Sequence, residues 1–135
     1  MSFEKNAYHY KQLKVWQKAM QLVMDVYKVT SKFPKHELYG LISQMRRSVI
    51  SIPSNIAEGH GRNSDKELVR FLDIAKGSIC ELDTQIEISK QLGYLSPKEF
   101  TIIFNLLDET SRMLTELRRS KSQYSSLKTH FRRQL

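Results

Sequence analysis

A single cysteine in 135 residues leaves no partner for an internal disulfide, so no covalent staple holds this chain. That residue, Cys80, falls in a helical pattern and is expected to be a small buried or half-buried side chain rather than a nucleophile. A lone thiol suits a reducing compartment. Proline and glycine are scarce too, at three and five residues, and most of the glycines stand where helices should end. With charged residues at 27%, a wholly disordered chain is not expected. No 18-residue apolar run and no signal-type N-terminus is present, so the expectation is a soluble cytoplasmic protein with no membrane role. No strand-like alternation lasts beyond a few residues, and no internal repeat is visible.

The groups that chemistry needs are also thin. His9, His36, His60 and His130 lie in different segments without metal-ligand spacing. Glu58 and His60 flank Gly59 at a helix end, a position more typical of a cap neighbourhood than of an acid/base pair. Glu81 and Gln85 share a helix face, but one carboxylate does not make a ferritin-like site, which uses Glu-x-x-His pairs. There is no phosphate-binding glycine loop. The chain is therefore expected to be no enzyme and to need no cofactor or metal.

What remains is helix. Hydrophobic residues make up 40% of the chain, enough for one core. The first segment, from about Tyr8 to Lys32, carries two stripes. One holds Trp16, Met20, Val23, Tyr27 and Thr30, the other Val15, Ala19, Leu22, Val26 and Val29. It should end near Phe33-Pro34, because the residue before proline disfavours helical geometry. The second runs from about Glu37 to Glu58 on Leu38, Leu41, Ile42, Met45, Val49, Ile52 and Ile56, and stops at Gly59 or Gly61. The third opens at Ser64 with Glu67 in capping-box register, buries Leu68, Phe71, Leu72, Ala75, Ile79, Leu82, Ile86 and Ser89, and closes at Leu92-Gly93. The fourth opens with Ser96, Pro97 and Glu99, a second capping box with proline at the first helical position. Its core face is Phe100, Ile103, Phe104, Leu107, Thr110, Leu114 and Leu117. Short loops between four long helices predict an all-α, up-down-up-down four-helix bundle over residues 1–119. Residues 120–135 would form a basic C-terminal tail or a short extra helix, with Tyr124, Leu127 and Phe131 on one side.

Pro53 lies inside the second helix, where it removes a backbone hydrogen bond and crowds the preceding turn. A fresh helix start would prefer Ser, Thr, Asp or Asn as N-cap, and Ile52 holds that position, so a bent but continuous helix is expected. Ser48, Ser51 or a water would then satisfy the carbonyl freed near residue 49, and Asn55 could serve backbone groups opened by the bend. Arg47, Ser51, Ser54 and Glu58 recur on the side opposite the apolar face. They either face water or lie against a neighbouring helix or subunit. On the second alternative Arg47, Ser51, Asn55 and Glu58 act in helix packing or subunit contacts.

Residues 46–95 carry a more specific signal. Arg46-Arg47, Ser51-Ile52-Pro53, Asn55-Ile56-Ala57-Glu58-Gly59, Gly77-Ser78, Glu81-Leu82, Thr84-Gln85 and Leu92-Gly93-Tyr94 together resemble the bacterial four-helix-bundle proteins encoded in intervening sequences of large-subunit ribosomal RNA genes. The accessory variability proteins of diversity-generating retroelements belong to the same fold group. The resemblance implies a homopentameric, ring-like assembly of four-helix bundles, a basic surface, nucleic-acid association and no known catalytic residue. The retroelement relatives work beside a reverse transcriptase; a polymerase partner is not indicated by anything in this chain.

Two features of the residues themselves bear on partners. The apolar faces are wider than one bundle needs, with Ile102, Leu106 and Met113 flanking the main face of the fourth helix. They are either a self-association surface or ordinary boundary residues. Charge is uneven as well. Lysine and arginine total 22 against 14 acidic residues, a formal net charge of +8. From Arg118 to the end there is no acid at all, and Lys11, Lys14, Lys18, Lys28 and Lys32 line the first helix. Phosphate backbones of RNA or DNA are the natural partner, through Lys11, Lys14, Lys18, Arg118, Arg119, Arg132 and Arg133. No helix-turn-helix, zinc-finger or aromatic-sheet pattern supports sequence-specific readout. The alternative function is a protein-interaction scaffold whose charge only aids solubility.

Overall fold

A computed structural model describes the backbone of residues 8–134 and the side chains of residues 8–122. Four long helices carry the chain: α1 (Lys14–Thr30), α2 (Ser43–His60), α3 (Asp65–Gln91) and α4 (Pro97–Gln134). No strand occurs among the described residues. A 3-10 turn, His9–Gln12, precedes α1, and a 3-10 turn at Lys35–Glu37 followed by a π-helical turn at Leu38–Ile42 precedes α2. Contacts join α1 to α2, α2 to α3, α3 to α4 and α4 back to α1. Their inner faces share one core, in which Ala19, Leu22, Val26, Met45, Val49, Ile52, Ile56, Ala75, Leu82 and Ile86 are fully enclosed.

The local signals at the helix starts act as the sequence suggests, with one difference. At α4 the capping box closes both ways: Glu99 N–H donates to Ser96 Oγ at 3.1 Å, and Ser96 N–H donates to Glu99 Oε1 at 2.9 Å. That backbone donor is the first cause holding the Glu99 carboxyl below its ordinary value. At α3 only half forms. Glu67 N–H donates to Ser64 Oγ, while the Glu67 carboxylate takes the Arg70 guanidinium at 2.8 Å instead. Gly93, at φ 78°, closes α3 in the left-handed region where only glycine is unstrained.

Several boundaries depart from the periodic reading. Leu13 is extended (φ −71°, ψ 126°), so the helix expected from Tyr8 is a 3-10 turn, a break and then α1. The second helix does not begin regularly at Glu37. Gly40 (φ −114°, ψ −111°) kinks the chain, the backbone widens into the π turn, and regular helix starts at Ser43. The widened turn carries Leu38 and Tyr39 outward, 47% and 93% exposed, although Leu38 has core periodicity. Phe104 is likewise exposed at 41%. Cys80, expected to be at least half-buried, is exposed on α3, because its position falls on the side away from Ile79 and Leu82. The α2 helix is continuous through Pro53, which is itself buried. α4 continues through the segment from Ser120 to Gln134; the expected face of Tyr124, Leu127 and Phe131 lies outside the described side chains.

Gly59 is not a cap but an interior residue of α2, fully packed against α3. A Cβ there would stand 2.8 Å from Phe71 Cβ, 3.1 Å from Leu68 Cδ1 and 3.3 Å from the Leu68 carbonyl. Gly77 on α3 is open, with nothing within 4 Å of its would-be Cβ. The two glycines should respond oppositely. Gly59→Ala should lower stability in urea unfolding by about 1–3 kcal/mol through overpacking. Gly77→Ala should raise it by about 0.8–1 kcal/mol through helix propensity. Equal midpoints for the two variants would contradict the close approach of α2 and α3.

Candidate functional site

Two surfaces stand out: a basic end of the molecule, and a polar seam between α2 and α3 that opens into a cleft.

The basic end forms where the His9–Gln12 turn meets both α1 and α2. The His9 and His60 rings stack there with centroids 5.8 Å apart. Burial first, then the positive fields of His9 and Lys121, hold the His60 pKa below its ordinary value. Lys11 lies over the Tyr8 ring at 5.6 Å, and neither Lys11 nor Lys14 has an ion-pair partner among the described residues. Arg62 sits at the same end, over Phe71 at 5.1 Å and paired with Glu58 at 2.8 Å.

Other cations assigned from the sequence are already engaged. Lys18 faces Glu109 at 3.4 Å. Arg118 makes a two-pronged contact with Asp73 at 2.7 and 3.2 Å, which raises its pKa. Arg119 pairs with Glu116 at 2.8 Å. Exposed pairs of this kind are worth little in stability, but they divide each cation's field with a carboxylate. The side chains of Arg132 and Arg133 lie outside the described residues. The stacked histidines left no sequence signal, since they are joined only by the fold; Arg62 and Lys121 were visible as charges but not as neighbours of that pair.

The seam divides the four residues of the α2 polar stripe. Ser51 Oγ accepts the Ser78 hydroxyl at 2.8 Å across the seam and the Asn55 amide at 2.9 Å within α2. Asn55 also donates to the Ser51 carbonyl at 2.8 Å. Its amide therefore serves residue 51 rather than the carbonyl near residue 49 that Pro53 leaves without its helical donor. Ser54 is exposed. Glu58 is spoken for by Arg62 in an exposed i,i+4 pair. Arg47 is exposed, with no ion pair among the described residues. Arg46, its neighbour, turns inward: it donates to Thr30 Oγ1 at 3.0 Å and lies over the Tyr27 ring at 4.4 Å, tying α1 to α2.

Toward the start of α2 the seam opens into a cleft of about 410 Å³ lined by Tyr39, Ser43, Gln44, Arg47, Ser48, Glu81 and Gln85. Ser48 donates to Glu81 Oε2 at 3.3 Å. The Gln85 side chain is 9% exposed, and its Oε1 is enclosed without a hydrogen-bond partner.

The family model described as 23S rRNA-intervening sequence protein matches residues 11–116. The chain belongs to that family. A 1.70 Å crystal structure of a protein of unknown function, from the S23 ribosomal protein family of Bacteroides thetaiotaomicron VPI-5482, matches with a TM-score of 0.70 at 21% identity. The match covers 77% of this chain and 97% of that one, and it shows a common fold. No curated protein matches the chain.

Two outcomes follow from this geometry. Ser51→Ala removes the acceptor of both Ser78 and Asn55 and should cost about 1–3 kcal/mol in urea unfolding; an unchanged midpoint would mean that water replaces it. His60, with its folded pKa lowered, contributes stability above its unfolded value of 6.5 that is lost as pH falls through the lower folded value. The melting temperature should therefore decline from pH 7 to pH 5, and His60→Asn should flatten that decline.

Proposed function

We propose that this family member is a non-enzymatic, basic, oligomeric protein that associates with nucleic acid, RNA or DNA, through the phosphate backbone. The observation that carries the reading is the gathering of Lys11, Lys14, His9, His60 and Lys121 at one end, beside an α4 that carries no acid from Arg118 onward. Phosphates are held by such clusters through charge, with counterion release supplying much of the affinity. The family name, which ties the group to an intervening sequence of 23S ribosomal RNA, points the same way. Cytoplasmic residence suits a single, exposed, unpaired thiol.

The architecture we attach to this reading is an up-down-up-down bundle assembled as a homopentameric ring. Antiparallel order is supported by the cross-links: Lys18–Glu109 and Lys32–Glu99 ascend α1 while descending α4, and Asp73–Arg118 and Lys76–Thr115 do the same for α3 and α4. A bend at Pro53 belongs to the same proposal. Self-association is supported by apolar side chains left outside the core, among them Met24 at 66% and Ile102 at 50% exposure. A ring would repeat the basic end around its axis and sum the fields. Ser51 and Asn55 serve helix packing in this picture, the exposed Glu58–Arg62 pair could extend to a subunit contact, and Arg47 lines the cleft.

Binding to unrelated single-stranded and duplex probes should weaken steeply with salt, with log–log slopes of about −0.7 and −0.9 per phosphate contact respectively. Lys11→Ala with Lys14→Ala should flatten the slope by similar amounts for every sequence. Arg118→Ala should flatten it less, because Asp73 already shares that charge. No retention of RNA or DNA at low salt would favour the interaction-scaffold reading, to which the exposed apolar residues also lend themselves. Sedimentation should give five times the 15.9 kDa chain mass; a monomer would end the ring. Glu58→Ala should leave monomer stability within about 0.5 kcal/mol, so a loss of assembly in that variant would locate a subunit contact.

A further inference from the structure

We infer that the cleft between α2 and α3 binds one unpaired guanine base of a single-stranded nucleic acid, stacked on Tyr39 and read by Glu81, Gln85 and Arg47. The inference rests on the nucleic-acid reading of the basic end but concerns a different surface, and it adds base selectivity to a binding mode that would otherwise be indifferent to sequence.

The cleft, at about 410 Å³, falls in the usual range of roughly 300–1,000 Å³ for small-ligand sites. Its chemistry is incomplete without an occupant. Gln85 is nine-tenths buried, and its carbonyl oxygen has no donor; such an orphan is costly when enclosed. A change of side-chain rotamer carries the Gln85 amide out of that enclosure and presents its oxygen to the cleft that the residue lines. Glu81 supplies carboxylate oxygens beside it, held by the Ser48 hydroxyl at 3.3 Å. Arg47 supplies guanidinium donors that no carboxylate among the described residues engages. Above them the π-helical turn thrusts out Tyr39, an aromatic face 93% exposed. Widened turns of this kind recur at functional sites.

An occupant must therefore bring adjacent N–H donors for Glu81 and Gln85, an acceptor for Arg47, and a flat face for Tyr39. A lysine or arginine side chain has the donors but no acceptor, and Arg47 repels its charge. A phosphate has acceptors only, and Glu81 repels it. Among bases, adenine and cytosine offer one exocyclic amino group beside acceptors, and uracil one N–H between two carbonyls. Guanine alone places N1–H and the 2-amino group side by side, next to O6. Unstacked bases resting on aromatic side chains and read along this edge are the usual route to specificity for single strands, and arginine to O6 is a favoured contact.

The test is fluorescence anisotropy with the intact protein and labelled twelve-nucleotide probes, all uridine except for one central guanine, adenine or hypoxanthine, with thymidine-based DNA counterparts. The guanine probe should bind about tenfold or more tightly than the adenine probe, the scale of one well-paired base. Hypoxanthine, lacking the 2-amino group, should lose most of that gain. The ratio should hold as salt rises while all affinities fall. Glu81→Gln and Gln85→Leu should erase the preference without changing affinity for the all-uridine probe. Equal binding of guanine and adenine probes, with salt-dependent binding of all-uridine intact, would overturn the guanine site and leave the phosphate reading standing. No binding of any probe would overturn both. A guanine preference that survives Glu81→Gln would place the selectivity elsewhere and overturn this assignment. A fall in assembly mass in Glu81→Gln would make the cleft a subunit contact and overturn it equally.

Discussion

The close approach of α2 to α3 is the constraint on which the rest of the molecule depends. Gly59 admits the Phe71 and Leu68 side chains against its backbone, and a turn of only a few residues joins the two helices just beyond. With that end pinned, the small residues along the seam set its spacing: Ser51 meets Ser78 at 2.8 Å, Ser48 meets Glu81, and Ser89 donates to Met45 Sδ at 3.4 Å. Serine is an economical choice here, since a larger side chain would part the helices and an alanine would leave a buried donor or acceptor unmatched. The same Ser89 hydroxyl lies closer to the main-chain carbonyl of Gln85, at 2.8 Å, so it is satisfied within α3 as well as across the seam. Among the described side chains a buried polar atom goes unpaired at Gln85 alone, where the π-helical turn has carried Tyr39 outward and the seam opens.

That opening follows from the backbone rather than from any single side chain. Gly40 takes a non-helical conformation, and the turn over Leu38–Ile42 holds more residues than a regular helix would. Had α2 begun regularly at Glu37, Leu38 would have continued the buried row of Met45, Val49 and Ile52. The widened turn instead leaves Leu38 half-exposed, places Tyr39 almost wholly in solvent and anchors Glu37 to the Tyr94 hydroxyl at 3.1 Å. The last contact raises the Tyr94 pKa, after burial, and ties this turn to the end of α3.

Periodicity made four helices and nearly all of the core legible. Every core position assigned to α3, from Leu68 through Ser89, is buried, and the glycine after Leu92 has the left-handed conformation its position implied. The irregular starts were not legible. A π turn has no period of its own, and the sequence LYGLI fits a helix pattern until backbone angles are known. The cleft was half visible: Glu81 and Gln85 were seen to share a face, but that Arg47 and Tyr39 converge on them depends on the register between two helices. Cys80 was misplaced because its neighbours Ile79 and Leu82 define a narrow buried row that it just misses. The histidine stack could not be read at all, since fifty residues separate its members.

Charge shows most clearly why composition alone misleads. The net +8 suggests a uniformly attractive surface, yet the fold sets Glu109 against Lys18, Asp73 against Arg118 and Glu116 against Arg119. A cation so paired still has solvent-facing donors, but a phosphate must compete with a carboxylate for them, and the gain from counterion release shrinks accordingly. Lys11 and Lys14 keep an undivided field, as do Arg47 and other surface cations without an ion pair among the described residues; what sets the first two apart is that Lys121 and the histidine pair lie nearby, where α1 begins and α4 outruns α3. α4 spans 38 residues against 27 for α3, about 57 Å against about 40 Å at 1.5 Å per residue. The extra length falls within the acid-free portion from Arg118 onward. The fold thus pairs Lys18 and Arg118 where they join α4 to α1 and α3, and leaves Lys11 and Lys14 without such partners among the described residues at the end where the histidines stack. On the reading proposed above, such an end would meet a polyanion as a localised contact rather than as a diffuse coat, which is what separates an electrostatic binding site from a merely soluble basic protein.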